Sequence, residues 1–256
     1  MALTLAPKSD ITFEGQNVDV VVLTKNSQRI LKNCLDSIYA NIPVSRLIIF
    51  DGYSTDKTLG ILDEFQRKFG NIVVFQGIGT RGMARQKAIE RVETEWFVFV
   101  DSDVVLSRNW FRKAWRFVKE DVGAVWGMEI WSVLRKTRIL RLFERVNLRV
   151  FENRGGTHDI LIRHKAVEDV SIPPCLHTYE DSYIKSWIHR KCYKVVAVYD
   201  PYCIHYRPEN VWTVKESIRM IAGDLKFALG RPELMLSYVF FTIIVLHQTF
   251  ARKLPI

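Results

Sequence analysis

Patterns typical of strands and helices alternate five times over the first half of this 256-residue chain. Short apolar runs bounded by polar residues alternate with segments whose apolar residues recur at helical spacing. The strands are predicted at 18–23, 47–50, 72–75, 95–100 and 122–127, and the helices at 29–41, 54–68, 82–93 and 109–120. This alternation indicates an α/β fold, in which a mostly parallel sheet carries helices on both faces.

The second half of the chain is less regular. Its predicted elements are a helix at 136–151, strands at 159–163 and 194–199, a helix at 182–190, and two closing helices at 212–230 and 232–252. We therefore expect one domain over residues 1–210, divided near residue 130, and a C-terminal helical region over 211–256.

Two carboxylates, Asp101 and Asp103, stand directly after the apolar strand Trp96–Val100. Carboxylates at the exit of a buried strand are costly unless a positive group meets them. A divalent cation that carries a phosphorylated ligand would do so, and hard oxygen donors suit Mg²⁺ or Mn²⁺ better than zinc. The motif points to a metal-dependent enzyme that acts on a nucleotide or another phosphate.

Composition adds two expectations. The net charge of +9 favours an anionic partner, which could be a nucleotide, a nucleic acid or a membrane surface. The four cysteines are scattered without C-x-x-C spacing, and the N-terminus shows no signal-peptide pattern. Both features predict reduced thiols in a cytosolic compartment.

Five motifs occur in an order that resembles the family 2 glycosyltransferases, which are inverting enzymes of the GT-A (Rossmann-like) fold. They are Val20–Asn26, Phe50–Asp56, Ala84–Gln86, Asp101–Asp103 and Glu180–Asp181. The resemblance covers roughly residues 17–207 and extends to enzymes similar to dolichyl-phosphate mannose synthase. It implies a nucleoside-diphosphate sugar as donor, Mn²⁺ or Mg²⁺ as cofactor, inversion at the anomeric carbon, and no nucleic-acid partner.

The resemblance assigns the base and ribose of the donor to the ends of the first two strands. Asp51 would contact the nucleobase, and Thr24, Lys25 and Asn26 would lie near the base or ribose. Lys25 stands where an aromatic residue is common, and Gly52 stands where a second acidic residue is common. A turn or helix-capping role is the structural alternative for Asp51.

The resemblance also assigns the diphosphate and the metal. Arg85 would contact the diphosphate, Asp101 and Ser102 the donor, and Asp101, Asp103 and His205 the metal. The structural alternatives are a surface arginine, a solvated acidic turn and an ordinary core histidine.

Two further assignments concern the acceptor side. Asp181 would be the general base that takes a proton from the acceptor hydroxyl, and Arg207 would meet phosphate. The alternative for Glu180-Asp181 is acidity at a helix N-terminus, which the helix dipole stabilises.

A competing motif, Gly77-Ile78-Gly79-Thr80-Arg81-Gly82, matches the dinucleotide fingerprint G-x-G-x-x-G. It would make the chain an NAD-dependent oxidoreductase. Against this, the motif follows the third strand instead of the first, and it explains neither Asp103 nor Glu180-Asp181.

Two segments predict contact with a membrane. Five arginines follow one side of the 135–151 helix, at positions 135, 138, 141, 145 and 149, which suits an anionic surface. The run 234–246 is almost wholly apolar but short for a membrane span. We expect peripheral or C-terminally anchored association with the cytoplasmic face of the cell membrane.

The sequence thus favours transfer of a sugar, with GDP-mannose as the leading donor, to a hydroxyl of a lipid-linked acceptor. An acceptor phosphate is already anionic and has little need of a base, so Glu180-Asp181 favours a hydroxyl. A non-catalytic module that binds sugar or membrane is the third alternative, beside the oxidoreductase.

Overall fold

A computed structural model describes residues 15–131, 156–176 and 180–206. The predicted helices at 136–151, 212–230 and 232–252 lie outside the described residues, as does Arg207. Within the described ranges, no helix combines the length and the apolar character needed to cross a bilayer.

The described residues form eight strands and five α-helices. The strands are β1 Val18–Thr24, β2 Val44–Asp51, β3 Ile72–Gln76, β4 Trp96–Asp101, β5 Val104–Leu106, β6 Val122–Trp131, β7 Asp159–Arg163 and β8 Lys194–His205. The helices are α1 Leu31–Asn41, α2 Thr58–Phe69, α3 Arg81–Ile89, α4 Trp110–Trp115 and α5 Glu180–Arg190, with a 3₁₀ turn at His164–Ala166.

The eight strands make one mixed sheet in the order β3-β2-β1-β4-β7-β6-β8-β5. The first four strands pair in parallel, as the sequence predicts. Whereas the edge strand β3 leaves Val73 and Val74 exposed, the apolar runs of β1, β2 and β4 are buried on both faces. Burial on both faces is the reason that these strands read as continuous apolar runs and not as alternating ones.

The predicted fifth strand, now β6, does not lie beside the first four. The antiparallel strand β7 separates β4 from β6, with Ile160 paired to Phe99 on one side and to Trp126 on the other. The alternation of strand and helix patterns predicts that the strands run in the same direction, but it does not predict which strands are neighbours in the sheet. The strands before residue 130 and those after it are therefore interleaved in one half of the sheet. The division of the domain near residue 130 into two functional halves stays a prediction.

Helices cover both faces of the sheet, which confirms the predicted layers. On one face, the buried strand residues pack against α1, α2 and α4, including Leu35, Phe65 and Trp110. On the other face they pack against α3 and α5, including Ile89 and Ile184. Each layer buries apolar area that stabilises the fold by roughly 25 cal/mol per Å².

The last strand is longer than the sequence predicts. Asp200-Pro201 interrupts the apolar run after Tyr199, so the pattern predicts an end there. The strand instead continues to His205, because it pairs with β6 in parallel and with β5 in antiparallel. The register with β6 shifts between Trp126 and Met128, and this irregularity accommodates the proline.

Candidate active site

The ends of three neighbouring strands bring the predicted donor-binding residues to one edge of the sheet. Thr24 of β1 is in register with Asp51 of β2, and Leu23 of β1 is in register with Asp101 of β4. In open α/β sheets this edge, beyond the carboxyl ends of the strands, is where ligands bind.

Asp51 is fully buried and accepts hydrogen bonds from four groups. The donors are the Thr24 hydroxyl (2.9 Å), the Ser54 amide (2.8 Å) and hydroxyl (2.5 Å), and Gln76 Nε2 (3.1 Å). Burial alone would raise the pKa of Asp51, but these hydrogen bonds outweigh it and lower the pKa. Asp51 therefore organises the loop after β2, and its contact with a nucleobase stays a prediction.

The two departures from the family pattern at this edge are physically coupled. A side-chain Cβ built on Gly52 would lie 3.2 Å from Cδ of the exposed Lys25, which is a tight contact. Glycine at 52 therefore leaves room for the stem of Lys25. Asn26 adopts a positive φ of 50° and holds the adjoining loop, since its Oδ1 accepts from the Thr55 amide at 2.9 Å. Thr24 and Asn26 thus have structural contacts of their own.

The turn after β4 is tied to the loop after β1 and to α1. Ser102 Oγ lies 2.9 Å from Ser27 Oγ, and Cys34 Sγ lies 3.4 Å from the backbone oxygen of Asp101. These contacts fix the backbone between Asp101 and Asp103.

Asp101, Asp103 and His205 form a group whose ligand atoms all lie within 4.8 Å of one another. The antiparallel pair β5–β8 brings them together, because Val104 is in register with His205. His205 Nε2 lies 2.9 Å from Asp103 Oδ1. Two carboxylate oxygens and one imidazole nitrogen suit Mn²⁺ and are compatible with Mg²⁺. Both aspartate side chains are about one third exposed, at 32% and 31%, so this cluster faces the open edge.

Arg85 of α3 is buried, with 2% of its side chain exposed, which excludes the surface alternative. Its Nη2 donates to Asp101 Oδ1 at 2.9 Å, and its guanidinium lies 4.6 Å from the centroid of the Phe99 ring. Among the described residues, its buried Nε and Nη1 make no hydrogen bond. Nε has the Glu180 carboxylate at 3.6 Å, but an unsatisfied donor such as Nη1 on a buried cation is costly, so this arginine is suited to an anionic ligand.

The Arg85 charge also affects its carboxylate neighbour. Burial alone would raise the pKa of Asp101, yet Arg85, with smaller contributions from His205 and Arg81, lowers it below the usual value. Asp101 is therefore ionised at neutral pH, which is the form that contacts a cation.

Glu180 and Asp181 occupy the first turn of α5 but face different surroundings. Glu180 is buried, and its Oε1 lies 3.6 Å from Arg85 Nε. Burial, with the neighbouring charge of Asp181, raises the pKa of Glu180 to about 7 against the opposing effect of Arg85. Asp181 is partly exposed, and its Oδ1 accepts from the Ser182 amide at 2.7 Å. The more accessible carboxylate of the pair is thus the predicted base.

We expect Glu180→Gln to stabilise the protein more at pH 8 than at pH 5. The unfolded chain loses this proton near pH 4.5 and the folded protein near pH 7. The stability of the parent therefore falls as pH rises through that window. The amide avoids the cost, which amounts to at most roughly 3 kcal/mol above pH 7. Urea unfolding at both pH values, with the exposed Glu120→Gln as control, measures the difference. An equal effect at both pH values would contradict the pKa assignment.

The last glycine of the G-x-G-x-x-G segment is covered by the protein itself, although Ile78 in the same segment is 85% exposed. The Gly82 amide donates to the Leu176 carbonyl at 2.9 Å, and the Thr80 hydroxyl donates to the Pro174 carbonyl at 2.6 Å. A Cβ on Gly82 would lie 3.0 Å from that Leu176 oxygen. The N-terminus of α3 therefore packs against the 173–176 loop, and its amides are not arranged for a dinucleotide phosphate.

The sequence reasoning missed Glu129 on β6. Its Oε1 lies 2.6 Å from His205 Nδ1, on the side of the ring opposite Asp103. The available signal was a carboxylate inside an otherwise apolar strand pattern, Val122–Trp131.

A mixed α/β sheet with a D-x-D turn at its ligand-binding edge is the arrangement expected of a GT-A glycosyltransferase. The sequence profile described as "Glycosyl transferase family 2" matches residues 19–165, which is more than half of the chain. The chain belongs to this family.

Two curated relatives resemble part of the chain. A poly(ribitol-phosphate) beta-glucosyltransferase of Bacillus spizizenii is 31% identical over 110 residues, 41% of this chain and 17% of the relative. The poly(ribitol-phosphate) beta-N-acetylglucosaminyltransferase TarS of Staphylococcus aureus is 31% identical over 107 residues, 40% of this chain and 18% of the relative. The match thus spans less than a fifth of either relative.

Solved structures extend the likeness of the fold. The mannosyltransferase PcManGT of Pyrobaculum calidifontis, in complex with GDP-Man and Mn²⁺, superposes with a TM-score of 0.67 at 18% identity, over 92% of this chain and 74% of that chain. TarS superposes with a TM-score of 0.60 at 22% identity, over 80% of this chain and 40% of that chain. The family, the GT-A fold and the glycosyltransferase class predicted from the sequence are confirmed.

Proposed function

We propose that this protein is a metal-dependent inverting glycosyltransferase that transfers a sugar from a nucleoside-diphosphate donor to a hydroxyl of a lipid-linked acceptor. The observation that carries the proposal is the juxtaposition of two features at one sheet edge. One is the Asp101, Asp103 and His205 cluster, and the other is the buried Arg85, whose Nη1 makes no hydrogen bond among the described residues. A cation site beside a buried guanidinium fits a diphosphate.

The donor half of the proposed site has distinct charge roles. Asp101, Asp103 and His205 would hold Mn²⁺ or Mg²⁺, and the metal, when bound, neutralises the diphosphate as it leaves. Arg85 adds a second positive charge, fixed by its contacts with Asp101 and Phe99. Such a preorganised arrangement stabilises charge that develops as the bond between the anomeric carbon and the phosphate oxygen breaks.

The acceptor half rests on Asp181. A neutral hydroxyl becomes a competent nucleophile when a base removes its proton during attack. In the proposed reaction, Asp181 takes that proton, the acceptor oxygen bonds to the anomeric carbon from the face opposite the diphosphate, and the configuration inverts. Glu180, held toward Arg85, keeps a carboxyl of raised pKa beside the base.

For the donor, GDP-mannose is the first candidate, because the PcManGT structure is described as a complex with GDP-Man and Mn²⁺. A UDP-sugar is the second, because a structure of TarS residues 1–349 is described as a complex with UDP. For the acceptor, the names of both curated relatives specify poly(ribitol-phosphate). They support a hydroxyl on a phosphate-rich acceptor, and the lipid linkage rests on the membrane-compatible segments of the sequence.

Calorimetric titration with GDP, UDP and NAD, each with and without Mn²⁺, tests the proposal. We expect one nucleoside diphosphate to bind only with Mn²⁺, and NAD to show no saturable binding. Binding of NAD without any metal-dependent diphosphate binding would favour the oxidoreductase. Absence of all nucleotide binding would favour a non-catalytic module.

We further propose that the protein associates with the cytoplasmic face of the membrane through the arginine-rich segment 135–151, which lies outside the described residues. Basic residues near an anionic surface contribute about 1 kcal/mol each, and salt weakens that attraction. Replacing Arg138, Arg141 and Arg145 by glutamine should lower co-sedimentation with anionic vesicles, and high salt should have the same effect. The exposed pair Arg112→Gln and Arg116→Gln is a control. Equal sedimentation of the triple variant and the parent would exclude this segment.

A further inference from the structure

His205 lies between two carboxylates from different strands. Its Nε2 is 2.9 Å from Asp103 Oδ1, and its Nδ1 is 2.6 Å from Glu129 Oε1. Both the histidine and Glu129 are largely withdrawn from water, with 6% and 10% of their side chains exposed. At such depth a contact of 2.6 Å with a carboxylate strongly orients an imidazole.

The position of Glu129 follows from the sheet. On the parallel pair β6–β8, Glu129 is in register with Cys203, and Trp131 is in register with His205. Glu129 and His205 therefore stand two residues apart on adjacent strands, a separation that long side chains bridge. The contact joins the strand that carries Glu129 to the strand that completes the proposed metal site.

We propose that Glu129 is a positioning residue that directs Nε2 of His205 toward the metal. This inference rests on the proposed function, because it takes Asp103 and His205 as metal ligands. With its proton on Nδ1, the nitrogen in contact with Glu129, the neutral ring carries its lone pair on Nε2, the nitrogen beside Asp103 Oδ1. Two acceptors 2.9 Å apart repel each other unless a proton or a cation is shared by them, and Mn²⁺ bound by both Nε2 and Oδ1 would remove that repulsion.

A carboxylate behind a ligating histidine does two things. It selects the tautomer and the ring orientation, and it makes the ligating nitrogen more basic. Both effects strengthen metal binding without any contact between the carboxylate and the metal.

A second buried pair, His158 and Asp159, lies on the side of the second carboxylate oxygen of Glu129. His158 Nε2 lies 4.0 Å from Glu129 Oε2, and His158 Nδ1 is in direct contact with Asp159. Asp159 in turn accepts from Trp110 Nε1 at 2.7 Å. The Glu129 carboxylate therefore lies between two imidazoles, with His205 in close contact and His158 at the longer distance.

His158, Asp159 and Cys203 are themselves close enough to be considered as a metal site. All three are buried, and the direct contact between His158 and Asp159 leaves no room for an ion between them. The Cys203 thiol also has a pKa raised well above its usual value by burial, which disfavours the thiolate that binds metal.

The test is a double-mutant cycle read out as Mn²⁺ affinity, measured by the electron paramagnetic resonance of free Mn²⁺ in the presence of UDP or GDP. Outer carboxylates of this kind are worth about 10- to 100-fold in metal affinity. We expect Glu129→Leu to weaken Mn²⁺ binding by that factor, and the isosteric Glu129→Gln, which keeps one acceptor oxygen, to weaken it less. In a His205→Ala background, neither change should weaken binding further.

Two controls make the result interpretable. Glu120→Leu removes an exposed carboxylate that precedes the opposite end of β6, roughly 20 Å of strand away, and should leave Mn²⁺ affinity unchanged. If thermal melts show that Glu129→Leu does not fold, Glu129→Gln alone completes the cycle. We then expect a smaller loss of Mn²⁺ affinity, which is absent in the His205→Ala background.

The outcomes separate this inference from the proposed function. If the parent protein binds no Mn²⁺ with either nucleotide, the metal-dependent function fails and this inference with it. If the parent protein binds Mn²⁺ and the Glu129 variants have the same Mn²⁺ affinity, only the positioning role is overturned. The same conclusion follows if the variants lose the same factor of affinity with and without His205.

Discussion

Replacing Asp103 by alanine is expected to abolish turnover and the Mn²⁺-dependent part of the affinity for GDP or UDP. Asp103 Oδ1 lies 2.9 Å from His205 Nε2, and Asp103 belongs to the turn between β4 and β5, whereas His205 ends β8. Its removal leaves the proposed metal site with ligands from Asp101 and His205 alone, and the diphosphate loses the part of its charge neutralisation that the metal would supply. Calorimetry with and without Mn²⁺ measures both parts of the affinity.

The exposed Asp63→Ala provides a matched control for this result. Asp63 pairs with Arg67 on the surface of α2, where an ion pair contributes little to stability. The control should retain the nucleotide affinity and turnover of the parent. Unchanged metal-dependent affinity in Asp103→Ala would remove Asp103 from the proposed site.

Asp181→Asn is expected to lower kcat by about 10²- to 10⁴-fold, which is the usual cost of losing a general base. Asparagine is nearly isosteric with aspartate but cannot accept the proton of the acceptor hydroxyl. Donor affinity should barely change, because Arg85, Asp101 and Asp103 remain in place. Steady-state kinetics with a hydroxyl acceptor, together with the donor titration, separate the two quantities.

A suitable control is Asp121→Asn. Asp121 is exposed and pairs with Lys194 at the start of β8, at the opposite end of that strand from His205. We expect its kcat to match that of the parent. Near-normal kcat in Asp181→Asn would show that another group accepts the proton, or that the acceptor is already anionic.

The sequence allowed the central part of the fold and its carboxylates to be predicted because both follow from local pattern. The apolar runs of β1, β2 and β4 are buried on both faces, so they read clearly as strands. Asp51 and Asp101 are the residues that end two of those strands. The position of a residue after a buried strand is visible in a sequence, and parallel pairing brings such positions to one edge.

What could not be predicted depends on contacts between distant segments. The short strand β5 and the extension of β8 to His205 exist because each pairs with the other. The burial of Arg85, and the contact between Glu129 and His205, arise from packing across residues far apart in the chain. Periodicity shows which face of a helix or strand is apolar, but it does not show which other segment of the chain packs against that face.

The place of β8 within the sheet bears on how the chain can be shortened for expression. The family match ends at residue 165, yet β8 lies between β6 and β5, well beyond that point. A chain cut there would leave β6 as an open edge that includes Val125 and Trp126, both buried in the intact protein. Exposed apolar edges recruit other strands and promote aggregation. A soluble fragment should therefore extend past residue 206, whatever the limits of the match imply.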